Sequence, residues 1–170
     1  MKFKEIAEII REKGTNRSQF LRGEIDKYTW QDVGSSYLPN ELTAGLLFSQ
    51  LEEMESINHK RLEIWNTYHD ELEFLEKGEF LIRPTIPSDC THNAHIYYII
   101  VNKPSVRDDL LAFMKERGVQ CTSHYVPLHS APAGVKYGKT SGILPITDTV
   151  AEQIVRLPLW PQMSSKEVTY

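Results

Sequence analysis

Four histidines in two close pairs are the first residues of this chain whose types and spacing could do chemistry. His92 and His95 bracket Asn-Ala, and His124 and His129 end the run His-Tyr-Val-Pro-Leu-His. Imidazoles this close together are a common beginning of a metal site, but the rest of one is missing. Pro127 keeps His124 and His129 from sharing a helix face, and no carboxylate or cysteine stands at ligand spacing beside either pair. No metal is expected. A serine nucleophile fares no better, since Gly34-Ser35-Ser36-Tyr37 has no second glycine to make a nucleophile elbow. What Gly34, Ser35 and Ser36 can offer is hydroxyls and free N–H groups a few residues ahead of a long helix, a setting that suits a phosphate or another anion. The plainer alternative is a polar helix start that binds nothing. The cluster His124, Tyr125 and His129 follows an expected strand directly. It is either a ligand-contacting loop on a rigid support or a satisfied histidine beside a packed tyrosine. Tyr97 and Tyr98 are expected to be strand packing.

The elements that must position these groups are led by one long amphipathic pattern. Leu47, Leu51, Met54, Ile57, Leu62, Trp65, Tyr68, Leu72 and Leu75 recur at three to five residues, predicting one long helix over 39–77. Asn40 is placed to cap it, Glu41 suits the positive end of its dipole, and Lys77-Gly78 ends it. At about 1.5 Å per residue such a helix is roughly 50 Å long, so its stripe is expected to pack on something larger than the rest of this chain. Ahead of it, a helix over 1–13 carries Phe3, Ile6, Ile9 and Ile10 and stops at Gly14, and residues 15–30 look like a long loop. Beyond it, residues 93–102 form the best strand, and residues 104–117 a helix opened by Pro104. Residues 119–126 read as a second strand, 127–146 as an irregular loop and 149–154 as a short helix capped by Thr147 or Asp148. The third strand, 155–160, is demoted to an edge by Pro158. Ser164 and Glu167 spell a capping box for one more helix, broken off where the chain ends, which suggests a protein cut short. The fold class is therefore α+β: a long connecting helix, then a small domain of a three-stranded sheet with helices on one face.

With 170 residues, 41% hydrophobic and 25% charged, the composition is that of a soluble globular chain. A net charge of −4 provides no basic field to hold a polyanion, so nucleic acid is not expected as a partner. No apolar run approaches the roughly 18 residues of a membrane span, and the N-terminus has no signal-peptide core. A cytoplasmic protein is expected, with Cys90 and Cys121 reduced.

Several blocks together resemble one family. EIIREKGTNR, DKYTWQDVGSSYLPNELTAGLLFSQLEEM, RLEIWNTYHDEL, NAHIYYI, HYVPLH and RLPLWPQMS, in this order, are similar to the C-terminal portion of PLP-dependent, fold-type-I sugar-nucleotide aminotransferases. The likeness is greatest to dTDP-4-keto-6-deoxyglucose 4-aminotransferases, which make dTDP-4-amino-4,6-dideoxygalactose for surface polysaccharides such as lipopolysaccharide and enterobacterial common antigen. The resemblance covers nearly all of residues 5–167. It implies a division into 1–38 as the tail of the large PLP-binding domain with an active-site loop, 39–77 as the connecting helix and 78–170 as the small domain. It implies a homodimer with sites shared across subunits and a nucleotide-sugar substrate.

The family's loop reads Gly-x-Asn-Tyr, the Asn reaching the PLP phosphate of the other subunit. Here Ser36 takes the Asn position, with Ser35 beside it, and a hydroxyl can still donate to phosphate. Tyr37, Tyr125 and His129 are implied as contacts to the sugar nucleotide. The family's Schiff-base lysine, the acid paired with the pyridine nitrogen and the ring-stacking residue all fall upstream of the matched blocks. PLP chemistry needs that lysine, so the chain alone is expected to be inactive, either as a fragment or as a truncated reading frame starting at Met1. The alternative is a non-catalytic binding or dimerisation module that uses its exposed helix stripe to associate.

Overall fold

A computed structural model describes residues 2–169; Met1, which the apolar pattern includes in the first helix, and Tyr170 lie outside the described residues. The chain divides into two compact units, Met1–Glu53 and Met54–Tyr170.

In the first unit, helix α1 (Lys2–Arg11) ends where Lys13 and Gly14 turn into the left-handed region at φ 63° and 76°. The stretch 15–30, expected to be a loop, holds a short helix α2 (Arg17–Leu21). Five residues are too few to display a period, and Asn16 ahead of them does not cap: its Oδ1 accepts the Thr29 N–H at 2.8 Å. The middle of this unit is polar. Glu12, Thr15 and Ser18 are buried, and their hydrogen bonds satisfy one another. The Ser18 hydroxyl donates to Glu12 Oε2 at 3.2 Å and the Thr15 hydroxyl to the Glu12 carbonyl at 2.8 Å. Helix α3 (Glu41–Glu52) starts as expected, with Asn40 Oδ1 accepting the Thr43 N–H at 2.9 Å. None of its residues is buried, and Leu42, Leu46, Leu47, Phe48 and Leu51 are exposed.

The second unit begins with α4 (Met54–Glu71) and α5 (Glu73–Lys77), and Gly78 follows as the C-cap. The single helix expected over 39–77 is instead three helices that cover nearly all of 41–77, separated at Glu53 and Leu72. The sheet has the order β1-β2-β3, with β1 (Leu81–Ile82), β2 (Tyr97–Val101) and β3 (Ile154–Leu157) all antiparallel. Alternation puts Tyr97, Ile99 and Val101 on one face, opposite Leu157, Val155 and Leu81 in register. That face forms one cluster with Ile64, Trp65 and Tyr68 of α4, and Tyr97 and Val155 are 0% exposed. Each fully buried side chain of this size contributes about 1.5–3 kcal/mol, which makes the α4–sheet contact the main core of the unit. The Tyr68 hydroxyl donates to the Pro158 carbonyl at 3.0 Å and fixes the helix to the end of the edge strand.

Two expected elements need correction. Residues 119–126 are not a strand: only Thr122 pairs, exchanging backbone hydrogen bonds of 3.1 and 2.7 Å with Arg156. The third strand is instead Leu81–Ile82, two residues between Gly78 and Pro84, too short to show alternation. The helix expected over 149–154 is α8 (Pro145–Gln153), so Asp148 lies inside its first turn and does not cap it, and Ile154 already belongs to β3. Before it come α6 (Pro104–Glu116), with Pro104 at its first position, and α7 (Pro132–Tyr137), inside a stretch expected to be irregular. Helix α9 (Ser165–Val168) has the expected capping box, the Ser164 N–H donating to Glu167 Oε2 at 2.7 Å. Among the described residues no helix is long and apolar enough to cross a membrane.

Candidate functional site

The Gly34-Ser35-Ser36-Tyr37 loop is fixed by its backbone. It lies antiparallel to residues 11–15, paired at Glu12 with Ser36 and at Thr15 with Trp30. The Ser35 N–H donates to the Ile10 carbonyl at 2.9 Å, the Lys13 N–H to the Ser35 carbonyl at 3.1 Å and the Tyr37 N–H to the Arg11 carbonyl at 3.1 Å. Between the two bridges the strands touch: a Cβ at Gly34 would overlap Gly14 N, and one at Gly14 would overlap the Asp32 carbonyl. The side chains are left outward. Ser35, Ser36 and Tyr37 are exposed, and the two hydroxyls make no hydrogen bond among the described residues. The same holds for the Ser36 N–H, so Ser35 and Ser36 together offer three unused donors on a rigid backbone. That donor set fits a phosphate.

The second group of candidates lies in the second unit. Tyr125 is 80% exposed, its ring edge-on to His124 at 5.2 Å. His129 behaves differently. Its Nε2 is 2.8 Å from Asp148 Oδ1, and its side chain is 18% exposed. The turn that carries it is closed by the Ser130 and Ala131 N–H groups on the Pro127 carbonyl, at 3.2 and 3.1 Å. Gly134 of α7 lies directly on the Leu128 carbonyl, where a Cβ would overlap it. His129, Gly134, Lys139, Thr140 and Thr147 line a hollow of about 600 Å³. Tyr125, with His124, Ile146 and Val150, lines a separate hollow of about 440 Å³. The two substrate candidates thus share a loop but not a hollow, and the serine loop belongs to the other unit.

Of the remaining histidines, His92 meets the Trp65 ring edge-on at 4.7 Å and His69 stacks on it at 4.7 Å. Burial and the neighbouring Arg83 push the His69 imidazole toward its neutral form. Arg83 is held in turn by Glu76, whose carboxylate accepts the Arg83 N–H at 2.8 Å and Nε at 2.7 Å and is drawn below the usual carboxylate range by these bonds. Burial raises the Cys121 thiol, and pushes the Tyr68 hydroxyl up to about 12. Among the described residues no three His, Cys, Asp or Glu side chains gather as a metal site. In the sequence Gly14 and Asp148 were legible only as a helix stop and a candidate helix cap, and Gly134 not at all; the contacts of all three are with residues whose closeness no local spacing marks.

The family model of the DegT/DnrJ/EryC1/StrS aminotransferases matches residues 2–170, and the chain belongs to that family. A dTDP-4-dehydro-2,3,6-trideoxy-D-glucose 4-aminotransferase of Saccharopolyspora spinosa is 30% identical over 138 residues, covering 81% of this chain and 34% of that protein. A dTDP-3-amino-3,6-dideoxy-alpha-D-galactopyranose transaminase of Aneurinibacillus thermoaerophilus is 28% identical, over 86% of this chain and 38% of that one. Among solved structures, the aminotransferase TlmJ of Streptoalloteichus hindustanus superposes with a TM-score of 0.79 at 25% identity, over 99% of this chain and 42% of that one. The S. venezuelae enzyme DesV, solved in complex with a ketimine intermediate, shares the fold at a TM-score of 0.76 and 23% identity, over 95% of this chain and 40% of that one. The chain spans less than half the length of these relatives. Its mixed helices and small antiparallel three-stranded sheet correspond to a C-terminal portion of such an enzyme, and PLP is the family's cofactor.

Proposed function

We propose that this chain is part of a sugar-nucleotide aminotransferase that moves an amino group, from glutamate, to C4 of a dTDP-4-keto-6-deoxyhexose for surface polysaccharide synthesis in the cytoplasm. When bound, PLP would supply the electron sink for amino transfer, with its lysine partner contributed from outside these 170 residues. The chain's own contribution is binding and orientation. Ser36 and Ser35 donate to the cofactor phosphate, across the interface of a homodimer, while Tyr37, Tyr125 and His129 hold the sugar nucleotide. The division of labour follows the expected domains: 1–38 as the cofactor-domain tail with its loop, 39–77 as the connector and 78–170 as the substrate-side domain.

The observation that carries this reading is the Ser35–Ser36 pair of unused hydroxyls on a backbone bridged to Glu12 and pressed against Gly14. The test is to give the enzyme containing this chain PLP, L-glutamate and dTDP-4-keto-6-deoxyglucose and follow the sugar nucleotide by mass. A dTDP-4-amino-4,6-dideoxyhexose is expected; a nucleotide left as the ketone overturns the substrate assignment. The chain by itself is expected to give no turnover.

A second reading, a non-catalytic binding or dimerisation module, is favoured by one feature. Helix α3 exposes Leu42, Leu46, Leu47, Phe48 and Leu51 with no residue buried. Self-association of the isolated chain without PLP uptake on titration would support it.

A further inference from the structure

We propose that the two hollows beside the 124–129 loop take the two ends of one nucleoside diphosphate: the base lies against Tyr125 in the smaller, and the diphosphate lies in the larger on Lys139, Thr140 and Thr147. The inference rests on Tyr125 and His129 being contacts to a sugar nucleotide, as proposed above. It deepens that reading by giving each part of the nucleotide a place and by adding Lys139 to the site.

The two hollows adjoin and differ in chemistry. Thr147, in the first turn of α8, lines both. The smaller, about 440 Å³, is walled by Pro127, Ile146 and Val150, with the 80% exposed ring of Tyr125 as a flat aromatic surface. A nucleobase offers such a ring its π-face, and stacking there requires no charge. The larger, about 600 Å³, is lined by one lysine, Lys139, and by no carboxylate. Among the described residues Lys139 makes no ion pair, and neither its ammonium nor the Thr140 and Thr147 hydroxyls make a hydrogen bond. An ammonium and two unused hydroxyls around one hollow are a donor set for phosphate oxygens. Asp148 comes within 2.8 Å of His129 Nε2 but does not line the hollow. The lysine also projects from a fixed point. The Gly138 N–H donates to the Gly134 carbonyl at 2.8 Å, and a Cβ on Gly138 would stand 2.7 Å from that oxygen. Gly134 in turn rests on the Leu128 carbonyl, which ties the segment of Lys139 to the loop that carries Tyr125.

The test titrates the isotope-labelled 170-residue chain with dTDP, thymidine and inorganic pyrophosphate, reading backbone amide shifts and Kd by NMR. Expected are shifts from dTDP around both Tyr125 and Lys139, from thymidine around Tyr125 only, and from pyrophosphate around Lys139 only. Lys139 is exposed, so Lys139→Gln keeps the fold. It should bind dTDP and pyrophosphate roughly tenfold more weakly, the worth of one hydrogen bond to a charged group, and thymidine as wild type does. Lys136→Gln is the control: that lysine stands 4.9 Å over the Tyr137 ring and lines neither hollow, so its loss should leave dTDP affinity unchanged. Equal dTDP affinity in wild type and Lys139→Gln, an equal loss in both lysine variants, or pyrophosphate that moves no amide around Lys139 overturns the proposal. Thymidine that moves none around Tyr125 overturns its base half. The reading beneath it fails differently. Shifts from dTDP at Tyr125 and His129 with wild-type affinity in Lys139→Gln remove this assignment and leave the substrate contacts intact. Binding of dTDP that depends on Lys139, in a chain whose enzyme leaves the dTDP-keto-sugar unaminated, removes the substrate assignment and leaves the nucleotide in its hollows.

Discussion

Gly14 and Gly34, twenty residues apart in sequence, lie with their backbones in contact, and neither position has room for a Cβ. The contact is what turns the Ser35–Ser36 segment from a polar loop into a fixed platform, because it sits between the Glu12–Ser36 and Thr15–Trp30 bridges. Gly34→Ala should therefore destabilise the first unit by about 3 kcal/mol, the upper part of the usual range for overpacking. Gly14→Ala should cost at least as much, since Gly14 also holds φ at 76°. Urea unfolding followed by tyrosine and tryptophan fluorescence checks both. Gly23→Ala is the control, with φ 73° but nothing within contact of a Cβ, and should cost only the conformational strain of about 1–2 kcal/mol.

Removing one donor from the platform should change cofactor binding and not folding. Ser36 is exposed and its hydroxyl has no partner within the described residues, so Ser36→Ala should leave stability within about 0.5 kcal/mol. Its hydrogen bond to a charged acceptor is worth about 1.5 kcal/mol, which predicts PLP held roughly tenfold more weakly by the dimeric enzyme. Ser36→Asn, which restores the family's loop, should hold PLP at least as well as wild type. Equal PLP affinity in wild type and Ser36→Ala, on titration at the cofactor's absorbance band, would take Ser36 out of the site.

Acid should weaken the second unit in two steps with known causes. Burial and Arg83 lower the His69 pKa, so the unfolded chain takes a proton there before the folded one does. Stability is then lost as pH falls below the ordinary imidazole value of about 6.5, and the loss levels off once the folded ring also titrates. Glu76 is held below the usual carboxylate range by the Arg83 backbone N–H and guanidinium, so its contribution is present above about pH 4.3 and disappears as pH falls through the folded value. His69→Gln should flatten the stability profile between pH 7 and 5, and Glu76→Gln should flatten only the more acid limb. Thermal melts from pH 7 down through the acid limb where Glu76 titrates measure both.

The elements with strong local signals were legible in the sequence: the Asn40 cap, the Pro104 start, the Ser164–Glu167 capping box and the buried strand around Tyr97. So was the inward stripe of Trp65, Tyr68, Leu72 and Leu75. Weaker signals misled where pairing, rather than propensity, decides the outcome. Residues 119–126 have the composition of a strand, yet Arg156 is already paired with Tyr98 in β2 on its other side, and of the stretch only Thr122 reaches Arg156. Leu81 and Ile82 took the remaining place beside β2 although two prolines follow closely. At the candidate site the serines, Tyr125 and His129 could be named from the family pattern. Their supports could not, because Gly14, Gly134 and Asp148 act through contacts that close only on folding.

Tyr125 and His129 should separate substrate binding from folding. At 80% exposure Tyr125 contributes little to the core, so Tyr125→Ala should melt within about 0.5 kcal/mol of wild type. Any rise in KM for the dTDP-keto-sugar is then a loss of contact and not of structure. His129 is half-buried and lies 2.8 Å from Asp148, so His129→Ala carries a stability cost too. Kinetics distinguish the two losses. A missing ligand contact raises KM roughly tenfold, the worth of one hydrogen bond, with the PLP absorbance band unchanged. A merely unstable protein loses active sites, which lowers the apparent kcat and the bound PLP together. His129→Ala with wild-type KM and kcat would place the imidazole outside the site, and the hollow it lines with Lys139 and Thr140 would then need another ligand.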